Sequence, residues 1–432
     1  MDTSKVYDIV GIGIGPFNLG MAALAEDIDN LECAFIDKEP EFNWHAGMMI
    51  PGTSLQVPFY ADLVTLAKPE SKYSFLNYLK QKKRLFRFAI HENNFVSRRE
   101  YNDYCQWVAG HLSSLNFGYA CNAIHYNSNT DLYEVFISNT GSRNSKQLKC
   151  KNVVIGIGTV PHIPDCASKF KHPLVFHSAE YLKHKEALSS KKSICIVGSG
   201  QSAAEIFYDL VNNPAFSETE LNWFTRSERF FPMEYSKLSL EMTSPDYIEH
   251  FYGLSAERKT DTLKKQDMLY KGINFSLINS IYDSLYQQQF ETDLRKPRLY
   301  SNCEMHSMIH TGKHEVKLGF LHCEKEESFS IVSDAVIMAT GYSNHLPFIV
   351  ETADGPINWD SRKKLPVNRN YSINESQNVF VQNADLHSHG FTSPDLGMGP
   401  YRNATILNSI LGYEYFEMER NIAFQTFGVP QG

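Results

Sequence analysis

The sequence predicts an α/β fold built from two Rossmann-like units and a small helical region. Three observations lead to this prediction. A β-branched strand enters a glycine-rich turn and an apolar helix at the start of the chain. The same order of features returns mid-chain, at Ser193–Glu205. Residues 231–295 differ from both, because they are rich in Tyr, Leu and Lys and poor in glycine. Alternating strands and helices are typical of parallel sheets.

The first unit has the strand, turn and helix of a dinucleotide site. Its turn reads Gly13-x-Gly15-Pro16-x-Asn18, with asparagine where a third glycine usually stands. Glycines allow the backbone to approach a pyrophosphate, and a helix N-terminus offers it free N–H groups. By itself this could be an ordinary glycine-rich turn. The next strand, however, ends at Asp37, the spacing expected of an acid that binds ribose hydroxyls.

The second unit repeats this arrangement, but the strand after its helix does not end in an acid. Its motif is Gly198-x-Gly200-x-x-Ala203, again between a strand and a helix. The following strand ends at Arg226-Ser227, where an acid would select NAD. A guanidinium suits a 2′-phosphate instead, so NADPH is expected here. The candidate residues for this nucleotide are Gly198, Gly200, Gln201, Ser202, Arg226 and Ser227.

Composition excludes several classes of function. The chain has 432 residues and a formal net charge of −8, which gives no support to nucleic-acid binding. No apolar run is long enough for a membrane span, and no signal segment is apparent. The eight cysteines form no Cys-x-x-Cys pair, so we expect reduced thiols, a cytoplasmic location and no metal site.

Irregular chain follows the second strand, where an open α/β sheet binds its ligand. Trp44, Met48 and Gln56 are candidates to line a flat cofactor, although core packing under a loop is the alternative for each. A helix predicted to begin after the N-cap Ser97 carries a basic pair, and Arg99 is the candidate to reach an anionic cofactor.

Domain bounds follow from these elements. The first nucleotide domain is expected to comprise residues 1–165 and 331–432, and the second residues 166–230 and 296–330. Residues 231–295 are expected to form a helical insert that binds the substrate.

The combination of motifs resembles the flavin-dependent N-hydroxylating monooxygenases of siderophore biosynthesis. The motifs are the first glycine turn, Trp44-His45 with Gly47-Met48, Gly198–Glu205, Ala339–Tyr342 and His387–Gly390. The resemblance implies FAD on the first unit, NADPH on the second, and an amine between them. It also implies that His45 and Gln56 contact the flavin, and that Asp385 binds its ribityl chain.

The resemblance further implies a branch of the family. Enzymes for lysine or ornithine carry a lysine shortly after the flavin glutamine, and here Ala61 replaces it. A second family asparagine aligns with Leu240. Without both contacts a substrate carboxylate would be unpaired. The expected substrates are therefore decarboxylated amines: putrescine, cadaverine or histamine. The alternative is an L-lysine or L-ornithine enzyme in which another cation, such as Lys68 or Lys72, replaces the missing one.

The implied reaction uses O2 and a C4a-hydroperoxyflavin to convert a primary amine to a hydroxylamine, with Gln56 and Asn274 as catalytic residues. Asn274 matches a family asparagine near the reacting amine. For the far ammonium, Glu241, Asp246 and Glu249 are candidates, or are only solvated helix charges. The resemblance also implies a homo-oligomer, a dimer or tetramer. Another flavin monooxygenase and a non-catalytic flavoprotein remain as alternatives.

Overall fold

A computed structural model describes residues 1–142, 144–291, 297–312, 315–357 and 364–429. The strands are β1 (Val6–Ile12), β2 (Cys33–Asp37), β3 (Leu115–Phe117), β4 (Tyr119–Asn127), β5 (Leu132–Asn139), β6 (Ser145–Ile155), β7 (Thr159–Pro161), β8 (Val175–His177), β9 (Ser193–Val197), β10 (Glu220–Phe224), β11 (Arg298–Tyr300), β12 (Cys303–His310), β13 (Val316–His322), β14 (Glu327–Ser333), β15 (Ala335–Met338), β16 (Tyr342–Asn344), β17 (Ile349–Thr352), β18 (Gly355–Pro356) and β19 (Val379–Val381). The helices are α1 (Pro16–Ala25), α2 (Phe75–Gln81), α3 (Leu85–His91), α4 (Arg98–Ala109), α5 (Tyr181–Leu188), α6 (Gln201–Val211), α7 (Lys237–Leu240), α8 (Pro245–Tyr252), α9 (Ala256–Lys265), α10 (Asp267–Tyr270), α11 (Phe275–Glu291), α12 (Leu386–His389) and α13 (Gly399–Leu411).

The first sheet has the order β18-β17-β4-β5-β6-β1-β2-β3, with β19 beside β6. Strand β1 lies between β2 and β6, and all three are parallel. The long strand β6 pairs with β19 through its last residues and with β5, antiparallel, through its first. A core of residues from α1, α4 and α13, such as Leu19, Tyr104 and Ile406, covers one face. This sheet presents the carboxyl ends of its parallel strands to the first glycine turn.

The second sheet is parallel throughout, in the order β11-β10-β9-β15-β8. Helix α6 packs on it through apolar residues such as Ile206 and Phe207. An antiparallel sheet of β12, β13 and β14 adjoins it through a shared apolar cluster. The parallel strands of the two sheets, with the helices packed on them, confirm the α/β fold with two Rossmann-like units.

One predicted domain bound is wrong. Strand β15 was assigned to the first domain, which was expected to resume at residue 331, but it pairs with both β8 and β9 of the second sheet. Its four residues are buried, as in a central strand. The chain leaves the second sheet only after Gly341, where β16 pairs with β7. The two crossings between the units therefore lie side by side.

Helices α7 to α11 follow one another from Lys237 to Glu291, so most of the segment 231–295 is helical as predicted, and residues 292–295 lie outside the described residues. An extended stretch precedes them, in which Pro232 pairs with Ile273 at the start of α11. Among the described residues, no helix combines the length and apolar character needed to cross a membrane.

Candidate functional site

The first glycine turn has the geometry of a pyrophosphate cradle. Gly13 has φ +88°, and a Cβ there would lie 2.5 Å from the carbonyl oxygen of Gly156. Gly15 caps α1, with no atom within 4 Å of the position its Cβ would take, and Pro16 is the first helical residue. The space beside Gly15, at the N-terminus of α1, is therefore open, as anion binding at a helix N-terminus requires.

Asn18 explains the missing third glycine. Its side chain is fully buried and donates to the carbonyl oxygens of Gly13 (2.8 Å) and Ile12 (3.2 Å). Its Oδ1 accepts a hydrogen bond from Gln382 Nε2 at 2.8 Å. The asparagine therefore joins the turn to the end of β19, which a glycine could not do.

Asp37 lies at the end of β2, beside the turn. One carboxylate oxygen accepts the Ile14 N–H at 2.6 Å, and the other accepts the Glu39 N–H at 2.9 Å. The side chain is half-buried. It holds the backbone of the glycine turn in place, and its contact with a ribose remains a prediction.

Asp385 is enclosed more completely than a ligand-facing acid. It is fully buried, and its Oδ1 accepts a hydrogen bond from Ser393 at 2.8 Å. Its Oδ2 has no hydrogen-bond partner and lies 3.9 Å from both His389 and the guanidinium of Arg402. Burial lowers the pKa of His389 to about 4, so this ring is neutral at pH 7. The ribityl contact remains a prediction.

A row of aromatic rings crosses from the first unit to the second. The ring centroids of Trp44 and His45 are 4.5 Å apart, and those of His45 and Tyr342 are 6.1 Å apart. The ring centroids of Tyr342 and His177 are 5.0 Å apart. The His45 side chain keeps contact with solvent, although protein surrounds most of it. This partial desolvation and then the Arg98 cation lower its pKa to about 4. The ring is therefore neutral at pH 7.

The segment after His45 enters the core of the second unit. A Cβ on Gly47 would lie 1.8 Å from the carbonyl oxygen of Ala179, so only glycine permits this approach. Met48 is 1% exposed and packs with Phe176 and Tyr181. Its side chain packs in this core, and its contact with a flavin remains a prediction.

The buried arginine of the basic pair is Arg98, not Arg99. Its guanidinium donates two hydrogen bonds to Glu205, at 2.6 and 2.7 Å. Glu205 is 3% exposed, and burial raises its pKa although Arg98 lowers it. Arg99 is exposed and reaches only the Met49 carbonyl oxygen, at 3.4 Å. Arg98 precedes the buried Tyr101 by three positions, a helical spacing that could have identified it.

The second glycine turn is bound to the strand that follows it. Trp223 Nε1 donates to the Gly198 carbonyl oxygen at 2.6 Å, and the Ser199 and Ser227 hydroxyls lie 3.3 Å apart. Gly200 caps α6. Arg226 is exposed beside this turn, where a 2′-phosphate is expected. Within the described chain, the Ser202 hydroxyl makes no hydrogen bond to protein.

Gln201 joins the second unit to the helical insert. Its Oε1 accepts the Asn274 backbone N–H at 2.8 Å, and its Nε2 donates to Glu205 at 2.9 Å. Together with Arg98, these residues form one hydrogen-bonded chain through both units and the insert. The sequence motif identified Gln201 as a nucleotide residue, and the structure adds this connecting role.

The two predicted catalytic residues lie on one cleft. Gln56 and Asn274 line a space of about 750 Å³ between the first unit and the insert. The Nε2 of Gln56 is buried and has no hydrogen-bond partner, so it is available to a ligand acceptor. The other lining residues are Ser54, Asn93, Phe95, Pro232, Met233, Glu234, Tyr235, Ser236, Met268, Phe275 and Ser276. Sequence reasoning missed Met233 and Glu234.

Ala61 and Leu240 do not line this cleft. Ala61 is 4% exposed and lies against Gly397, whose added Cβ would be 3.4 Å from the Ala61 methyl. Leu240 ends α7 and is 37% exposed. Their predicted substrate contacts remain predictions.

The three acids considered for the far ammonium have other partners. Asp246 accepts the backbone N–H groups of residues 421–423, and Glu241 accepts those of Phe424 and Gln425. Glu249 forms an ion pair with Arg369. These acids anchor the C-terminal segment and a loop of the first unit, so they are neither free ligands nor merely solvated charges.

Comparison with known proteins identifies relatives along the whole fold. The family model described as L-lysine 6-monooxygenase/L-ornithine 5-monooxygenase matches residues 5–344. A putrescine N-hydroxylase of Shewanella oneidensis is 47% identical over 98% of this chain and 84% of its own length. A putrescine N-hydroxylase of Acinetobacter baumannii is 43% identical over 99% and 95%. The crystal structure of DfoA bound to FAD, a cadaverine monooxygenase from Erwinia amylovora, has a TM-score of 0.94 and 43% identity, covering 99% and 100%.

Replacing Asn18 with glycine restores the usual motif but should destabilise the protein. We expect a loss of about 1–3 kcal/mol, because buried hydrogen-bonding groups of the turn and of Gln382 lose a partner. Asn279→Gly, at an exposed position of α11, is the control for helix propensity alone. Urea unfolding of both variants measures the difference, and equal losses would contradict the bonding role.

Breaking the Arg98–Glu205 ion pair between the units should lower the free energy of unfolding more than removing the charge of Arg99. Arg98→Met leaves Glu205 buried without its cation, for which we expect a loss of about 3–5 kcal/mol. The exposed neighbour supplies the control, since Arg99→Met should change stability by less than about 0.5 kcal/mol.

The loss of unfolding free energy in Arg98→Met should also depend on pH. With Arg98 gone, burial raises the folded-state pKa of Glu205 further above its unfolded value. Such a group stabilises the fold at low pH and loses this contribution as the pH rises. Unfolding at pH 5 and pH 8 should therefore show the smaller deficit at pH 5, and a deficit independent of pH would contradict the assignment.

Proposed function

Because this chain belongs to the L-lysine 6-monooxygenase/L-ornithine 5-monooxygenase family, we propose that it uses FAD, NADPH and O2 to hydroxylate one nitrogen of a small diamine. Putrescine and cadaverine are the first candidates, and histamine is the third. The resulting hydroxylamine suits hydroxamate-type siderophore biosynthesis. One observation carries the proposal: Gln56 and Asn274 meet on a single cleft in a chain that is 43–47% identical to diamine hydroxylases.

The first unit fits FAD. Gly13, Gly15 and Pro16 would hold the pyrophosphate at the open N-terminus of α1, with Asp37 beside the ribose. The unpartnered Nε2 of Gln56 is a donor suited to a flavin ring acceptor. When bound, the flavin accepts hydride from NADPH and activates O2. The protein contributes the orientation of the ring and the exclusion of water from the cleft.

The second unit fits NADPH. Gly198 and Gly200 lead into α6, whose first turn carries Ser202 with its hydroxyl free of protein partners in the described chain. Arg226 is the exposed cation at the position of the 2′-phosphate. Gln201 holds the Asn274 backbone, so nucleotide binding at α6 and substrate binding at α11 share one hydrogen bond.

The cleft favours a neutral amine at the reacting end. An alkylamine has a pKa of about 10.4 in water, so about one in a thousand is uncharged at pH 7. Desolvation against Phe95, Met233 and Phe275 favours the uncharged form. The Asn274 Oδ1 accepts hydrogen bonds from the Ser276 N–H (2.9 Å) and hydroxyl (2.6 Å), so its Nδ2 is the amide group left to contact that nitrogen.

We also propose a cytoplasmic homo-oligomer, a dimer or tetramer. All eight cysteines are free thiols, as expected in a reducing compartment. The oligomeric state rests on the family resemblance alone, and light scattering of the purified protein measures it.

A substrate panel tests the proposed function. Ornithine, lysine, putrescine, cadaverine and histamine are compared in an assay specific for hydroxylamines. We expect one of the decarboxylated amines to be the preferred substrate, because the described lining of the cleft contains no Lys, Arg or His to pair with a carboxylate. Faster turnover of lysine or ornithine would contradict this, and NADPH oxidation with no hydroxylamine from any amine would contradict the function itself.

Turnover should rise with pH between about 7 and 9, because the neutral fraction of an amine of pKa about 10.4 increases tenfold per pH unit. His45 and His389, with pKa values of about 4, do not titrate in this interval. These two rings therefore do not contribute to the rise. The measurement is hydroxylamine formation at saturating NADPH, and a flat profile would refute the need for a neutral amine.

A further inference from the structure

The wall of the Gln56–Asn274 cleft includes an acid with no assigned role. Glu234 is exposed to the cleft, and in the described part of the chain its carboxylate has neither an ion-pair nor a hydrogen-bond partner. The nearby acids Glu241, Asp246 and Glu249 are all engaged elsewhere. Glu234 is therefore the acidic group available to a ligand in this cleft.

Backbone pairing places Glu234 close to Asn274 in the fold. The Met233 N–H donates to the Ile273 carbonyl oxygen at 2.7 Å. In turn, the Ile273 N–H donates to the Phe231 carbonyl oxygen at 2.9 Å. The Glu234 N–H donates to the Met268 carbonyl oxygen at 3.0 Å. These hydrogen bonds hold the segment of Glu234 against the segment of Asn274. Both residues therefore line the same side of the cleft.

The charge of the cleft is complementary to a cation. Among the described residues that line it, Glu234 is the one charged side chain, and no Lys, Arg or His is present. An amino-acid carboxylate would meet a like charge there, whereas an ammonium would form a charge-assisted hydrogen bond. A diamine needs this asymmetry, because one nitrogen must be neutral to react while the other keeps its proton.

We propose that the Glu234 carboxylate binds the ammonium at the non-reacting end of the diamine and thereby selects diamines over amino acids. The inference rests on the proposed function, since it names the group that holds the second nitrogen of that substrate. It makes Glu234 a specificity-determining residue, separate from the orientation of the reacting amine at Asn274.

The test compares a diamine with a monoamine of the same chain length. Glu234→Gln keeps the size of the side chain and removes its charge. We expect the KM for putrescine to rise about 10- to 100-fold, the effect of losing one charge-assisted hydrogen bond, with a smaller change in kcat. The KM for n-butylamine should stay within about twofold, since it has no second nitrogen. Glu241→Gln, which removes an acid of the same insert outside the cleft, is the matched control.

Binding without turnover provides a second measurement. Calorimetric titration of putrescine into the oxidised holoenzyme should show the same fold-change in Kd for Glu234→Gln. The ratio of the Kd for ornithine to the Kd for putrescine should also be smaller in Glu234→Gln than in the wild type. Equal KM increases for putrescine and n-butylamine, or an unchanged putrescine Kd, would overturn the proposal.

The two hypotheses fail in different ways. If the wild-type protein hydroxylates no amine but binds putrescine in a Glu234-dependent manner, the proposed function is wrong and this inference stands. If it hydroxylates putrescine and Glu234→Gln leaves both KM and Kd unchanged, the inference is wrong and the function stands.

Discussion

The ion pair between Arg98 and Glu205 is the interaction on which the arrangement of the site depends. It joins α4 of the first unit to α6 of the second, with two short hydrogen bonds in a buried setting. Buried charges are costly unless every partner is present, so the pair tolerates little displacement of one unit against the other. Gln201 extends the constraint to the Asn274 backbone. Helix α4 of the first unit, helix α6 of the second and the Asn274 segment of the insert are therefore held by one connected network.

The electrostatic character of the cleft follows from the side chains that this arrangement leaves without partners. Three acids of the insert are used to hold the C-terminal segment and a neighbouring loop. Gln56 and Glu234 keep free hydrogen-bonding groups beside apolar walls. Such a surface discriminates by charge, because its single carboxylate attracts a cationic ligand and repels an anionic one.

Departures from the usual motifs have structural causes here. Asn18 replaces a glycine because its amide connects the first turn to Gln382. Gly47 is required by the close approach of Ala179, and it directs Met48 into the core of the second unit. A residue predicted to bind a cofactor can thus also serve the contact between parts of the protein, as Met48 and Gln201 do in different ways.

The sequence by itself determined the two glycine turns, the α/β fold and the family, because these depend on residues close together along the chain and on the order of motifs. The prediction that Gln56 and Asn274 share a site, although 218 positions separate them, came only through the family resemblance, and the structure places both on one cleft. The tertiary structure decided which sheet receives β15, which arginine is buried, and where Glu241 and Asp246 bind. Arg98 meets Glu205 across 107 positions. Which distant residues become partners depends on how the segments pack in three dimensions, and this cannot be predicted from the local sequence pattern.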